Sequence, residues 1–130
     1  MVAGGSGSNN NTIEYLTSTG WKVSPTKLPA YSYQGCAAPI NTTHYIILEG
    51  RNDNNVESNR VFFFNLATGS LTLGPNRLVA RSGFSCATGR FGNTTAVVIA
   101  GGRNGLTYYN TSEYLDLSVG SWSKASGELY

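Results

Sequence analysis

The chain has few charged residues: they make up 12% of its 130 residues, compared with about 25% in typical soluble domains. Its net charge of +2 is small and it has no run of Lys or Arg, which excludes a nucleic-acid-binding surface of the usual basic kind. No apolar stretch approaches the ~20 residues of a membrane-spanning helix. The first ten residues contain neither a cationic nor an apolar segment, so no signal peptide is predicted in this segment.

Residues suited to metal or redox chemistry are also scarce. His44 is the only histidine, and the two cysteines, Cys36 and Cys86, form no Cys-x-x-Cys motif, although zinc and redox motifs usually contain one. His44 begins a predicted strand, where a surface position is a simpler interpretation than a catalytic base. The sequence therefore predicts no metal site, no cofactor and no catalytic residue.

What the chain does contain is a repeated apolar run that ends in glycine. The clearest copy is Val97-Val98-Ile99-Ala100 followed by Gly101-Gly102. A run this short is typical of a buried strand, and the glycines allow a sharp turn after it. Further copies occur at 2–5 and 46–50, the latter with Glu49 in place of the first glycine. No window has the 3.6-residue apolar period of a helix, so the pattern predicts an all-β fold.

The runs belong to an internal repeat of about 50 residues. The markers that recur in one register are Trp21, Leu71 and Trp122; Leu28, Leu78 and Leu129; Cys36 and Cys86; and the Asn-Thr-Thr sequences at Asn41 and Asn93. We expect four short strands per repeat. In the last copy they are 82–89, 95–101, 112–117 and 122–126, with a polar loop at 103–111. In the middle copy they are 33–40, 44–49, 59–66 and 71–73, and the first copy starts at its second strand.

This pattern resembles the kelch repeat. The residues that carry the resemblance are Gly101-Gly102 after the second strand, Glu113-Tyr114 on the third, Trp122 on the fourth, and Arg81-Ser82-Gly83. In the middle copy, Glu49 and Leu71 depart from the pattern. The resemblance implies a segment of a kelch-type β-propeller, in which each repeat is one blade of four strands. The expected blades are a three-stranded partial blade at 2–30 and two complete four-stranded blades at 31–80 and 81–130.

Propellers close with about four to eight blades. We therefore expect this chain to be a segment of a longer propeller that supplies further blades. The alternative is a small open protein of three blades, whose exposed sheet edges would favour association.

The two cysteines take the same place in adjacent repeats. Cα atoms joined by a disulfide lie within about 7 Å of each other, and equivalent positions on neighbouring blades usually lie further apart. We therefore expect Cys36 and Cys86 to be buried thiols that pack as small apolar residues. A disulfide between them is the alternative.

One face of the expected propeller carries the candidate binding residues. Loops after the second and fourth strands emerge on the same face, and functional residues concentrate on loops held by a rigid scaffold. The candidates are Arg81, Ser82, Arg103, Asn104, Arg51, Asn52, Tyr31 and Ser32. Kelch domains often use the arginine and serine of an Arg-Ser-Gly stretch to hold acidic groups, so the resemblance implies that role for Arg81 and Ser82. The alternative is that Arg81 packs against a neighbouring blade.

The resemblance favours a non-catalytic module that binds another protein or a peptide, with an acidic ligand among the candidates. The alternative is the propeller part of a carbohydrate-active or copper-dependent oxidase, because galactose-oxidase-like enzymes also carry kelch blades. Nothing in this sequence supplies the ligand cluster that such an enzyme needs.

Four Asn-x-Ser/Thr sequons lie in predicted turns or loops, at Asn10, Asn41, Asn93 and Asn110. Each would be a glycan acceptor in a secreted protein, although Asn and Thr are also common turn residues. Together with the low Lys content, the sequons slightly favour an extracellular chain, and the sequence leaves the compartment open.

Overall fold

The computed structural model describes residues 1–4 and 11–127, and these residues form strands and turns without a helix. In chain order the strands are β1 Val2–Ala3, β2 Ile13–Thr17, β3 Gly20–Val23, β4 Cys36–Pro39, β5 His44–Leu48, β6 Val61–Asn65, β7 Leu71–Leu73, β8 Ser85–Phe91, β9 Thr94–Ala100, β10 Arg103–Asn104, β11 Thr107–Tyr108, β12 Ser112–Asp116 and β13 Ser121–Lys124. The predicted all-β class is confirmed. Within the described ranges, no helix offers the length and apolar character that a bilayer crossing requires.

The strands form three antiparallel sheets that follow one another along the chain. The first sheet is β1-β2-β3, the second is β4-β5-β6-β7, and the third is β8-β9-β12-β13. The remaining strands, β10 and β11, make a separate hairpin in which Arg103 pairs with Tyr108. This hairpin corrects the expectation of a polar loop at 103–111. Gly105 has a φ of +57° in the hairpin turn, a backbone conformation that glycine adopts without steric cost.

Two apolar cores lie between consecutive sheets. In one, Ile13 and Leu28 of the first repeat pack with Ile47, Phe62 and Phe64 of the second sheet. In the other, the members from the second sheet are Ala38, Ile46, Leu48 and Val61, and those from the third are Val97, Ile99, Leu115 and Trp122. Neighbouring residues on a strand point to opposite faces, so Ile46 and Ile47 enter different cores. The second sheet is therefore covered on both faces, and the sheets stack in chain order.

The prediction of free thiols is wrong, because Cys36 and Cys86 form a disulfide with their Cα atoms 6.1 Å apart. Cys36 lies opposite Leu48 on its ladder. The residue equivalent to Leu48, 52 positions later, is Ala100, and it lies opposite Ser85 instead of Cys86. A shift of one residue turns a side chain to the other face of its sheet. The two cysteines therefore do not take equivalent places; they face each other across the core between the second and third sheets.

Candidate partner-binding face

The loops after the second strands lie beside the connections that lead from one sheet to the next. Tyr33 and Arg51 exchange backbone hydrogen bonds of 3.0 and 2.8 Å, and Ser82 and Arg103 exchange two of 2.9 Å. We call the surface formed by residues 31–35, 50–57, 81–84 and 101–109 the loop edge. Within the second and third repeats, the structure thus brings together the two kinds of loop that the sequence placed on one face.

Two glycines make this close pairing possible. A Cβ atom on Gly50 would lie 2.3 Å from the carbonyl oxygen of Tyr33, and one on Gly102 would lie 2.7 Å from that of Ser82. Both distances are far below van der Waals contact. Gly102 also has a φ of +89°, where other residues are strained. The repeated glycine therefore brings the backbone of each loop against the neighbouring connection.

Arg81 is completely buried, and its guanidinium group bonds within its own repeat. It donates to the carbonyl oxygens of Gly101 and Thr111 at 2.9 and 3.0 Å, and to the Glu113 carboxylate at 2.8 Å. The side chains of Arg81 and Glu113 are 1% and 2% exposed. The guanidinium carbon also lies 4.9 Å from the centre of the Tyr109 ring. Arg81 thus packs within its own repeat, whereas the alternative interpretation placed it against a neighbouring one.

Three more predicted binding residues are also engaged within the loop edge. The Ser82 hydroxyl donates to Glu57 at 3.3 Å, and Arg51 lies 3.1 Å from the same carboxylate. The hydroxyl of Ser32 accepts a hydrogen bond of 3.2 Å from the backbone N–H of Gly50. Ser32, Ser82 and Glu57 are all buried. These side chains stabilise the loops that carry them; the two serines are buried, and the side chain of Arg51 is 18% exposed.

Two arginines with buried contacts, Arg60 and Arg77, were not predicted from the sequence. Arg60 binds the buried carboxylate of Glu49 through two hydrogen bonds of 2.8 and 2.9 Å, so the residue that replaces a repeat glycine has its own cationic partner. Arg77 donates to the carbonyl oxygens of Glu49 and Ser58. Burial lowers the pKa of Arg77 to about 10, although the Glu113 carboxylate opposes the shift. The only signal of these buried contacts in the sequence was Glu49, which stands where the last repeat has a glycine.

Two of the predicted residues that remain accessible, Arg103 and Asn104, form the first strand of the hairpin β10–β11. Arg103 lines a shallow depression together with Gln34 and Tyr108, which the sequence did not predict; its other lining residues are Ser82, Gly83, Gly102 and Tyr109. Tyr108 is 76% exposed, and Arg103 takes part in none of the ion pairs found among the described residues. Asn104 is exposed and donates to the carbonyl oxygen of Ala80. Tyr31 is also exposed, and Asn52 is partly exposed.

Three of the predicted glycan acceptors are exposed, namely Asn41, Asn93 and Asn110. Asn10 lies outside the described residues. Asn41 and Asn93 occupy the short turns before β5 and β9, and Asn110 lies between β11 and β12. In the turn before β5, the side-chain oxygen of Asn41 accepts hydrogen bonds from the backbone N–H groups of Thr43 and His44 at 2.9 and 2.8 Å, as expected of an asparagine in a turn.

The described part of the chain contains no group of three or more His, Cys, Asp or Glu side chains placed to hold a metal ion. In comparisons with known proteins, no protein-family model matches the chain and no curated protein matches its sequence.

Proposed function

We propose that the chain is a segment of a kelch-type β-propeller, with two complete blades and one partial blade, that acts as a non-catalytic protein-interaction module. It binds a partner protein or peptide through the loop edge. The observation that carries the proposal is the contrast within this edge: buried ion pairs and backbone pairing hold the loops, while Gln34, Arg103 and Tyr108 remain accessible around one depression.

A fixed set of loops suits binding because little conformational entropy is lost when a partner docks. Tyrosine and arginine are the residue types enriched at the centres of protein interfaces. Arg103 lies half-buried on a hairpin, and its backbone is bonded to Ser82 on one side and paired with Tyr108 on the other. Its guanidinium group can donate two parallel hydrogen bonds to one carboxylate, so an acidic side chain or chain terminus is the expected ligand group.

The proposal is tested by selecting a phage-displayed library of random peptides on the purified chain and measuring the affinity of selected peptides by calorimetry. We expect the selected peptides to contain Asp or Glu, and we expect Arg103→Glu to weaken their binding by about tenfold or more, as loss of a charge-assisted hydrogen bond would.

Arg90→Glu is the matched control, because Arg90 is an exposed arginine at the hairpin between β8 and β9, away from the loop edge. It should leave peptide binding unchanged. Equal binding to the wild-type chain and to Arg103→Glu, or equal losses in the two variants, would refute the role given to the loop edge.

A further inference from the structure

One cross-strand pair recurs at the same register on the last two strands of all three sheets. Its members are Leu16 and Trp21 in the first sheet, Phe64 and Leu71 in the second, and Leu115 and Trp122 in the third. Residues opposite each other on antiparallel strands share a face. In the third sheet this face packs on the second sheet, and in the second sheet it packs on the first. In the second and third sheets, the pair therefore lies on the face that packs against the preceding sheet in the chain.

In the first sheet the same face is open. Leu16 is 63% exposed and Trp21 is 57% exposed, whereas Leu115 and Trp122 are 1% and 6% exposed. Val23 is also exposed, and it lies opposite Glu14 on the same pair of strands. The chain therefore presents, at its first sheet, an apolar face of the kind that its own third sheet buries.

The third sheet has the complementary open face. Val97 and Ile99 point to the second sheet, so Ala96 and Val98, which alternate with them along β9, point away. These two residues line an apolar depression together with Phe91 and Tyr114. Val98 is equivalent to Ile46, 52 positions earlier, and Ile46 belongs to the second-sheet surface on which Leu115 and Trp122 pack.

We propose that these two open faces bind each other between two copies of the chain. Leu16 and Trp21 of one copy dock into the depression of the other in the way that Leu115 and Trp122 dock onto the second sheet. The indole N–H of Trp122 donates to the carbonyl oxygen of Pro75 at 3.0 Å. The equivalent of Pro75, 51 positions later, is Ser126, and the residue before it, Ala125, lines the depression.

The same contact occurs twice if the two copies close into a ring. The first sheet of each copy meets the third sheet of the other, which is a heterologous interface, and such interfaces form rings when the rotation closes. Two copies contribute six sheets, within the range of about four to eight blades that propellers use, whereas three copies would exceed it. Ring closure rests on the propeller proposed above, with a second copy in the place of the further blades expected from a longer chain and with three strands in the first sheet of each copy. The contact between faces rests on the repeat alone.

Sedimentation velocity of the purified chain, from about 1 to about 100 µM, tests the proposal over the range in which a moderate interface associates. We expect a reversible dimer.

Trp21→Asp and Phe91→Asp should each weaken self-association by about thirtyfold or more, as loss of a central interface residue does. Both side chains are more than half exposed, so circular dichroism should show an unchanged fold. Leu106→Asp, at an exposed leucine of the β10–β11 hairpin, is the matched control and should leave the dimer intact.

Mixing the two variants identifies which faces meet. Trp21→Asp keeps the third-sheet face and Phe91→Asp keeps the first-sheet face, so the mixture should form a heterodimer that neither variant forms with itself. A wild-type chain that stays monomeric, a series of ever larger species, or dimers unaffected by either substitution would overturn the proposal. Peptide binding at the loop edge is measured independently, so failure of the dimer does not imply failure of the proposed function.

Discussion

At the residue scale, the charges near the loop edge are arranged in pairs. Glu49, Glu57 and Glu113 are buried, and each carboxylate lies within 2.8 to 3.1 Å of an arginine nitrogen. A buried carboxylate is costly unless a cation and hydrogen-bond donors compensate it. In a chain with few charged residues, these pairs hold the loops in place while leaving Arg103 accessible.

Arg81→Ala should lower the free energy of unfolding by about 3–5 kcal/mol, because it leaves the Glu113 carboxylate buried without its cation. Chemical denaturation monitored by tryptophan fluorescence measures this change. Arg90→Ala, at an exposed arginine, is the matched control and should change the free energy by no more than about 0.5 kcal/mol. If the two substitutions have equally small effects, Arg81 does not stabilise the fold as its contacts indicate.

The sequence reveals the Arg81-Ser82-Gly83 stretch but not the direction in which Arg81 points. The partners of its guanidinium group are Gly101, Thr111 and Glu113, which lie 20 to 32 residues later in the chain. Local pattern cannot distinguish an arginine that bonds to such distant groups from one that extends into solvent. For the same reason, the partnership of Glu49 with Arg60 becomes evident only in the folded chain.

At the element scale, the turn before the last strand of each sheet is built in the same way. The side-chain oxygens of Thr17, Asn65 and Asp116 accept hydrogen bonds from the backbone N–H two residues later, at 3.3, 2.9 and 2.9 Å. Residues that form such turns punctuate the apolar runs, which is why the main strands could be predicted to within a few residues. The hairpin β10–β11 could not be predicted because strands of two residues have no detectable alternation.

The turn at Asp116 has a consequence that can be measured by titration. The Ser118 hydroxyl and backbone N–H donate to the carboxylate at 2.6 and 2.9 Å and hold the pKa of Asp116 below its usual value. Ser118→Ala should raise this pKa, as followed by NMR of the carboxyl carbon. Because the folded pKa is lowered, the turn contributes stability above the unfolded pKa of Asp116 and loses it as the pH falls through the folded pKa.

Ser85→Ala is the matched control for this titration, since Ser85 is an exposed serine on another strand. It should leave the pKa of Asp116 unchanged. An Asp116 pKa that is the same in the wild-type chain and in Ser118→Ala would show that the hydroxyl does not stabilise the carboxylate.

At the scale of the whole molecule, the repeat predicted the order of the sheets and most of their strands, and the structure stacks them in chain order. The repeat did not predict the disulfide, because the cysteine spacing of 50 residues suggested equivalent places. In the strand pairing, the residue equivalent to Cys36 is Ser85, one position before Cys86. Cys86 therefore points to the opposite face of its sheet, towards Cys36. The face to which a side chain points changes with a register shift of one residue. The spacing between repeated residues in the sequence is not precise enough to determine that register.

Consecutive sheets stack face to face in this register, and the disulfide tests the stacking directly, since the bond forms only between Cα atoms within about 7 Å. The chain is expressed in an oxidising compartment, its free thiols are alkylated without reductant, and its peptides are mapped by mass spectrometry. We expect one intrachain link between the peptides that contain Cys36 and Cys86. Alkylation of both cysteines in the folded chain would contradict the stacking of the second and third sheets.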